Sequence, residues 1–274
     1  MPARERAGRV ALWHAGLLAV AACLLAPAII AVLASLKSPG DLYGDDPLPT
    51  SPTLANYRVA LHEFPLGRLL VNTLITSVGV TLMQLLVATL AGYAIVRFSG
   101  RIGRLVLWAS TVSILIPVQV LLIPQFLAVS HLGWLNSFPG LIVPQISAVG
   151  VAVLLLRQHL LAVPESLREA ATLDGANDRQ ILWHVVLPLL RPALGAAAIL
   201  AFITSWNEYL WPLLAAPDVT HTTIQLGLAL FTNAEGANPG PLLAAATIAT
   251  VPILVAYLFA ARRVTDAFMH SGIH

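Results

Sequence analysis

Residues 105–156 read LVLWASTVSILIPVQVLLIPQFLAVSHLGWLNSFPGLIVPQISAVGVAVLLL and contain no Asp, Glu, Lys or Arg. A helix needs about 20 apolar residues to cross a bilayer, and this run is more than twice that long. It is interrupted once, by the polar, Gly/Pro-bearing segment HLGWLNSFPG at 131–140, whose turn chemistry separates two helices. The stretch therefore predicts a pair of spans, 105–130 and 139–160. Working outward by the same criterion gives spans at 10–36, 69–96, 188–214 and 241–261. The expected fold is an all-α polytopic membrane protein with six transmembrane helices in a single domain, 1–274.

Composition agrees. Hydrophobic types make up 58% of the 274 residues, charged types 10%, and mean hydropathy is +0.82. A soluble domain carries roughly 25% charged residues, so a disordered chain, a coiled coil and an ordinary soluble enzyme are excluded. The formal net charge is only +2, with no dense basic face, so no nucleic-acid partner is expected. Cys23 is the single cysteine, which leaves no intrachain disulfide framework.

Charge placement sets the orientation. Cytoplasmic loops are enriched in Lys and Arg. With the N-terminus inside, Arg4, Arg6, Arg9, Arg97, Arg101, Arg104, Arg157, Arg168, Arg179, Arg191, Arg262 and Arg263 all fall on the cytoplasmic side. Lys37, Arg58 and Arg68 complete the fifteen basic residues and fall outside. Both termini are expected in the cytoplasm. A cleaved leader is the competing reading of the first span, because Val20-Ala-Ala-Cys23 resembles a lipoprotein cleavage site; but the apolar run continues to Leu36, too long for a signal core. Pro27, Pro117, Pro124, Pro144 and Pro252 lie inside spans, where each removes a backbone donor and favours a kink.

Enzyme chemistry finds no footing. Lys37 is the only lysine, so no phosphate-binding Gly-x-x-x-x-Gly-Lys-Ser/Thr loop exists. The eight histidines are scattered without metal-ligand spacing, and no metal site is expected.

The loop between the fourth and fifth spans, 161–187, carries the clearest signal. Residues 157–192 read RQHLLAVPESLREAATLDGANDRQILWHVVLPLLRP. Pro164 suits an early helical position, Ser166-x-x-Glu169 has the spacing of a capping box, and Leu167, Ala170 and Ala171 share one face. Gly175 suits a left-handed helix stop. Asn177-x-x-Gln180 is a second start signal, and Pro188 is expected to break the segment it begins. The spacing predicts a short helix on the membrane face, with small alanines allowing close approach of another surface. An amphipathic linker resting on lipid headgroups is the alternative, disfavoured by how little anchoring bulk the alanine face offers.

Glu169-Ala-Ala171, then Gly175, Val185 and Leu187-Pro188, resembles the EAA loop of ATP-binding-cassette importer permeases, with Val185 where that family usually has Ile. Ser205-Trp-Asn-Glu-Tyr-Leu-Trp-Pro-Leu213, Asn72-Thr73, Ile116-Pro117, Ile123-Pro124 and Leu132-Gly-Trp-Leu-Asn136 are similar to the carbohydrate-type members. The tail 267–274 resembles that of the maltose-type second permease subunit. The resemblance implies a coupling helix, here Glu169, Ala170, Ala171, Asp174 and Gly175 with Leu187 and Pro188 at the return, docking on a cytoplasmic ATPase. It implies a heterodimer with a second permease subunit, two ATPase subunits and an extracytoplasmic solute-binding protein, in the bacterial cytoplasmic membrane. ATP and Mg would sit on the ATPase and no cofactor on this chain. The expected activity is sugar import, with a secondary carrier, or an importer of sugar phosphates, glycerophosphodiesters or amino sugars, as alternatives.

Glu208 is the sole acid within an expected span, and acids there usually face a cavity or a partner. With Trp206, Asn207 and Tyr209 beside it, and Asn72 and Gln119 in other spans, it is a candidate pathway or gate residue. An aromatic belt at the interface is the other reading. Gln84 and Gln125 are expected to hydrogen-bond between helices.

Overall fold

The computed structural model describes residues 3–44, 46, 48–98, 100–235 and 239–269. All regular elements among them are helical: α1 (Ala3–Ser35), α2 (Ala55–His62), α3 (Leu66–Arg97), α4 (Arg101–Leu115), α5 (Val118–His131), α6 (Phe138–Ile142), α7 (Gly150–Leu161), α8 (Glu165–Leu173), α9 (Asp178–Gln180), α10 (Leu187–Leu189), α11 (Arg191–Trp206), α12 (Leu210–Ala215), α13 (Ile224–Glu235) and α14 (Pro239–Met269). A 3-10 segment, Val143–Val149, joins α6 to α7, and a π-helical segment, Ile181–Val186, joins α9 to α10. The residues 270–274 of the tail motif lie outside the described residues.

Four stretches are long and apolar enough to cross a membrane: Leu12–Ser35, Leu66–Arg97, Phe138–Leu161 and Pro239–Leu258. Two further pairs meet the test jointly but are bent, α4 with α5 by 104° and Asp178–Leu189 with α11 by 78°. Among the described residues the count is thus four, or six if each bent pair is one span. The 104° bend corrects the expectation of one helix over 105–130. Its cause is local: the residue before a proline avoids the α region, and Ile116 is extended at φ −81°, ψ 117° ahead of Pro117. The second bend falls at Leu190, ahead of Pro192 in the first turn of α11, and not at Pro188, which sits within α10.

The expected span 188–214 also divides. α11 stops at Trp206, Asn207 and Glu208 lie outside any helix, and the chain resumes in α12. Glu208 is therefore not in a span helix but at a break between two. Helices α2 and α13 lie in segments where no helix was expected.

By its internal contacts the chain divides into two units, 1–66 with 228–250, and 67–227 with 251–274. In the first, buried Asn56 closes the end of α1: its Nδ2 donates to Ser35 O at 2.9 Å and Lys37 O at 2.8 Å. Ser35 Oγ and Tyr57 Oη are 2.7 Å apart, and a Cβ on Gly240 would lie 2.6 Å from Asn56 Oδ1. The α1 window 12–35 is otherwise unburied, an apolar surface that suits hydrocarbon rather than water.

In the second unit, small residues let helices approach closely, as in membrane packing generally. Ala88, Ile95, Val153, Leu156 and Ala193 form one core. A Cβ on Gly150 would lie 2.4 Å from Ser113 Oγ and 2.6 Å from Ser110 O, so α7 begins against α4 only because that position is glycine. Trp211, Val129, Leu141, Ala215 and Ala216 form another core, with Trp211 Nε1 donating to Gly140 O at 3.0 Å.

Candidate functional site

The loop 161–187 folds as a short helix with two unlike faces. Pro164, at φ −58°, ψ 132°, precedes α8 without a side-chain cap. Ser166 is then inside the first turn, so the expected Ser166–Glu169 capping box does not form. The proline starts the helix two residues too early for it and puts Glu165 at the first position, where a carboxylate suits the helix dipole and pairs with Arg168. The C-terminus matches the expectation. Gly175 has φ +83°, its N–H donates to Thr172 O and the Ala176 N–H to Ala171 O, both at 3.0 Å. This is the Schellman pattern, which satisfies the last carbonyls through a left-handed residue.

Asn177 then restarts the chain through a full capping box. Gln180 N donates to Asn177 Oδ1 and Asn177 N to Gln180 Oε1, each at 2.9 Å. Two helix ends and a left-handed glycine within a few residues fix the turn in one shape.

The inner face of this segment is anchored. Ala171, Ala176, Val185 and Leu187 pack against the buried cluster of Tyr93, Leu160, Ile181, Leu182, Val186 and Leu190. Asp178 accepts a 2.8 Å hydrogen bond from Arg97 Nε at the end of α3. The outer face is open: Glu169, Ala170, Asp174 and Gly175 are exposed, and Leu173 is 88% exposed. One depression beside it, about 460 Å³, is bounded by Arg97, Arg168, Glu169 and Leu173. A second, about 270 Å³, is bounded by Asp174, Gly175, Gln180 and His184. Of the expected coupling residues, Glu169, Ala170, Asp174 and Gly175 thus share one open surface. Ala171 and Leu187 belong to its apolar footing, and Pro188 lies exposed at the return.

The second feature is a cavity of about 410 Å³ whose walls come from α3, α5, the 143–149 segment, α7, α11 and the break after it. Most of its lining is apolar, with Gln84, Gln125, Gln145, Ser147, Thr204, Ser205 and Glu208 as polar points. Gln84 Nε2 donates to Gln145 O at 2.7 Å, Gln125 Nε2 to Pro144 O at 3.1 Å and Ser147 Oγ at 2.9 Å, and Gln145 Nε2 to Leu141 O at 2.9 Å. Backbone carbonyls only accept, so each amide's orientation is forced. Glu208 Oε1 accepts from Trp211 N at 3.1 Å.

The other candidate pathway residues separate. Trp206 is buried and its ring meets Phe202 at 5.4 Å. Asn207 and Tyr209 are exposed, with Asn207 Nδ2 donating to Ile203 O at 2.8 Å and its Oδ1 accepting from Gln225. Asn72 is buried away from the cavity lining: its Nδ2 reaches Thr220 O and Thr222 O, both at 3.1 Å, while Thr73 Oγ1 accepts from Ile224 N at 2.7 Å. Asn72 and Thr73 hold the 220–224 turn. Gln119 is exposed near the bend and does not line the cavity. Gln145, Ser147 and Ser205 line it although the sequence does not single them out. Their only signal is polarity inside otherwise apolar stretches.

Comparison with known proteins adds the family. The model of the family described as binding-protein-dependent transport system inner membrane component matches residues 84–266. The chain is 34% identical over 227 residues to an ABC transporter permease protein of Streptomyces antibioticus, covering 82% of this chain and 99% of that one. It is 32% identical over 206 residues to the sn-glycerol-3-phosphate transport system permease protein of Yersinia pestis, covering 74% of this chain and 73% of the relative. It is 28% identical over 261 residues to a diacetylchitobiose uptake system permease protein of Streptomyces coelicolor, covering 94% and 86%. A chain of a bacterial ABC transporter involved in import of the acidic polysaccharide alginate is similar in structure, with TM-score 0.82, 25% identity, and coverage of 96% and 99%.

Proposed function

We propose a function from one premise: this chain belongs to the inner membrane components of binding-protein-dependent transport systems. It is a permease subunit of an ABC importer. It forms half of a translocation pathway in a heterodimer with a second permease subunit, served by two ATPase subunits and an extracytoplasmic solute-binding protein. The chain 1–274 acts as one permease domain in the bacterial cytoplasmic membrane, with six crossings and both termini inside. The placement of twelve of the fifteen basic residues supports that orientation. ATP and Mg bind on the ATPase, and this chain carries no cofactor.

The observation that carries the coupling role is α8. Its outer face presents Glu169, Ala170 and Leu173 beside the exposed Asp174–Gly175 turn, while its inner face is packed and tied by Arg97 and Asp178. A partner that grips the outer face moves the buried cluster beneath it as a body, and with it α3 and α11. ATP-driven closure of the ATPase pair thereby reorients the helices around the cavity. Leu187 and Pro188 set where the moving segment meets α11, and Glu208 with Trp206, Asn207 and Tyr209 forms the candidate gate.

The solute is a sugar or sugar-like compound, a reading supported by the diacetylchitobiose and alginate systems among the similar proteins. The Yersinia pestis relative favours a second reading, a phosphorylated polyol. The test of the coupling role is ATP-dependent uptake by the complete complex in vesicles. Glu169→Ala and Gly175→Val abolish uptake at unchanged membrane insertion; normal uptake by both removes the role.

A further inference from the structure

The cavity lined by α3, α5, α7 and α11 is rich in acceptors, and its lining hydroxyls, Ser147 and Thr204, can both donate and accept. Each amide nitrogen of Gln84, Gln125 and Gln145 is engaged by a backbone carbonyl of this chain. Their amide oxygens receive no hydrogen bond among the described residues. Glu208 adds a carboxylate, of which one oxygen is engaged by Trp211 N. Among the described residues, no Arg, Lys or His lines the cavity. Ser205 Oγ lies buried behind this wall and is not offered to a solute.

A ligand that completes this arrangement must bring donors. Hydroxyls do so, and each also accepts, which suits the Thr204 hydroxyl on the wall. Phosphate and carboxylate groups bring acceptors only. In a low-dielectric cavity they would also face the Glu208 charge with no cation to offset it. The apolar remainder of the wall suits the C–H faces of a sugar ring.

We infer that this cavity is a solute subsite for an uncharged, hydroxyl-rich compound, a neutral saccharide or polyol, and that it excludes phosphorylated and uronate solutes. The assignment rests on the translocation-pathway reading above and decides between its two solute classes.

The test uses the complete complex in nanodiscs, with Cys23→Ser and a reporter cysteine at Ala201→Cys, and separately at Thr204→Cys in case one position disturbs assembly. Both positions line the cavity. Maleimide labelling of each is timed with diacetylchitobiose, maltose or sn-glycerol 3-phosphate present. A neutral sugar slows labelling roughly tenfold at about ten times its dissociation constant, as the occupancy factor requires. sn-Glycerol 3-phosphate gives no protection. Equal protection by sn-glycerol 3-phosphate, or protection by no solute, overturns the subsite and leaves the pathway reading standing. Failure of the reagent to reach either cysteine from water overturns both.

Discussion

Arg97 Nε donates to Asp178 Oδ1 at 2.8 Å, joining the last residue of α3 to the first residue of α9. Both side chains are 47% exposed, so the pair adds only about 0.2–1 kcal/mol to stability. Its place makes it a mechanical tie between the 161–187 loop and α3. Asp178→Ala and Arg97→Ala are expected to leave the thermal midpoint nearly unchanged while lowering solute transported per ATP hydrolysed. The exchanged pair Arg97→Asp with Asp178→Arg restores part of the ratio. An unchanged ratio in both single variants removes the tie from the mechanism.

Gly175 is required for its conformation, not for space. No atom lies within 4 Å of a Cβ built there, yet φ is +83°. A left-handed residue other than glycine costs about 1–2 kcal/mol, and Asn tolerates the region better than most. Gly175→Asn is therefore expected to retain more uptake than Gly175→Ala, although Asn is larger. The reverse order, measured in the same vesicles, points to a steric requirement at the docked surface instead.

Asn56 both fills space and donates twice. Asn56→Asp is nearly isosteric but cannot donate from an ionised carboxylate, so Ser35 O and Lys37 O lose their partner. Each buried unsatisfied group costs about 1–3 kcal/mol. Asn56→Asp and Asn56→Ala are both expected to lower the unfolding midpoint in detergent, and an unchanged midpoint in Asn56→Asp contradicts the assignment of donor and acceptor.

Glu208→Gln keeps an acceptor for Trp211 N, removes the charge and turns the second oxygen into an amide donor. Folding is expected to be unchanged, whereas uptake kinetics or solute preference shifts if the carboxylate belongs to the gate. Unchanged kinetics and preference assign Glu208 to a boundary of aromatic residues and carboxylate.

Much of this architecture is legible in the chain. Four of the apolar stretches appear as single helices long enough to cross a bilayer, and the end of α8 and the start of α9 are set by Gly175 and Asn177 because both signals act within one or two turns. The start of α8 is harder to read, since Ser166 and Pro164 compete for the same first turn and the proline's fixed φ wins. The division at Glu208 is hidden because hydropathy counts apolar residues without registering backbone direction, and Pro117 announces a kink but not its size of 104°. The cavity is the least legible part. Gln84, Gln125, Gln145 and Ser205 converge from distant positions, and no local pattern announces which polar residue in a span faces its neighbours. Asn72 illustrates the converse: its polarity serves a turn near Thr222.

The proposed docking of the outer face of α8 on an ATPase subunit is tested at Leu173, 88% exposed on that face, with a photoreactive phenylalanine analogue there in the assembled importer. Illumination is expected to join this chain to the ATPase subunit. Capture of lipid instead, or no cross-link in a complex that hydrolyses ATP and transports solute, contradicts the claim.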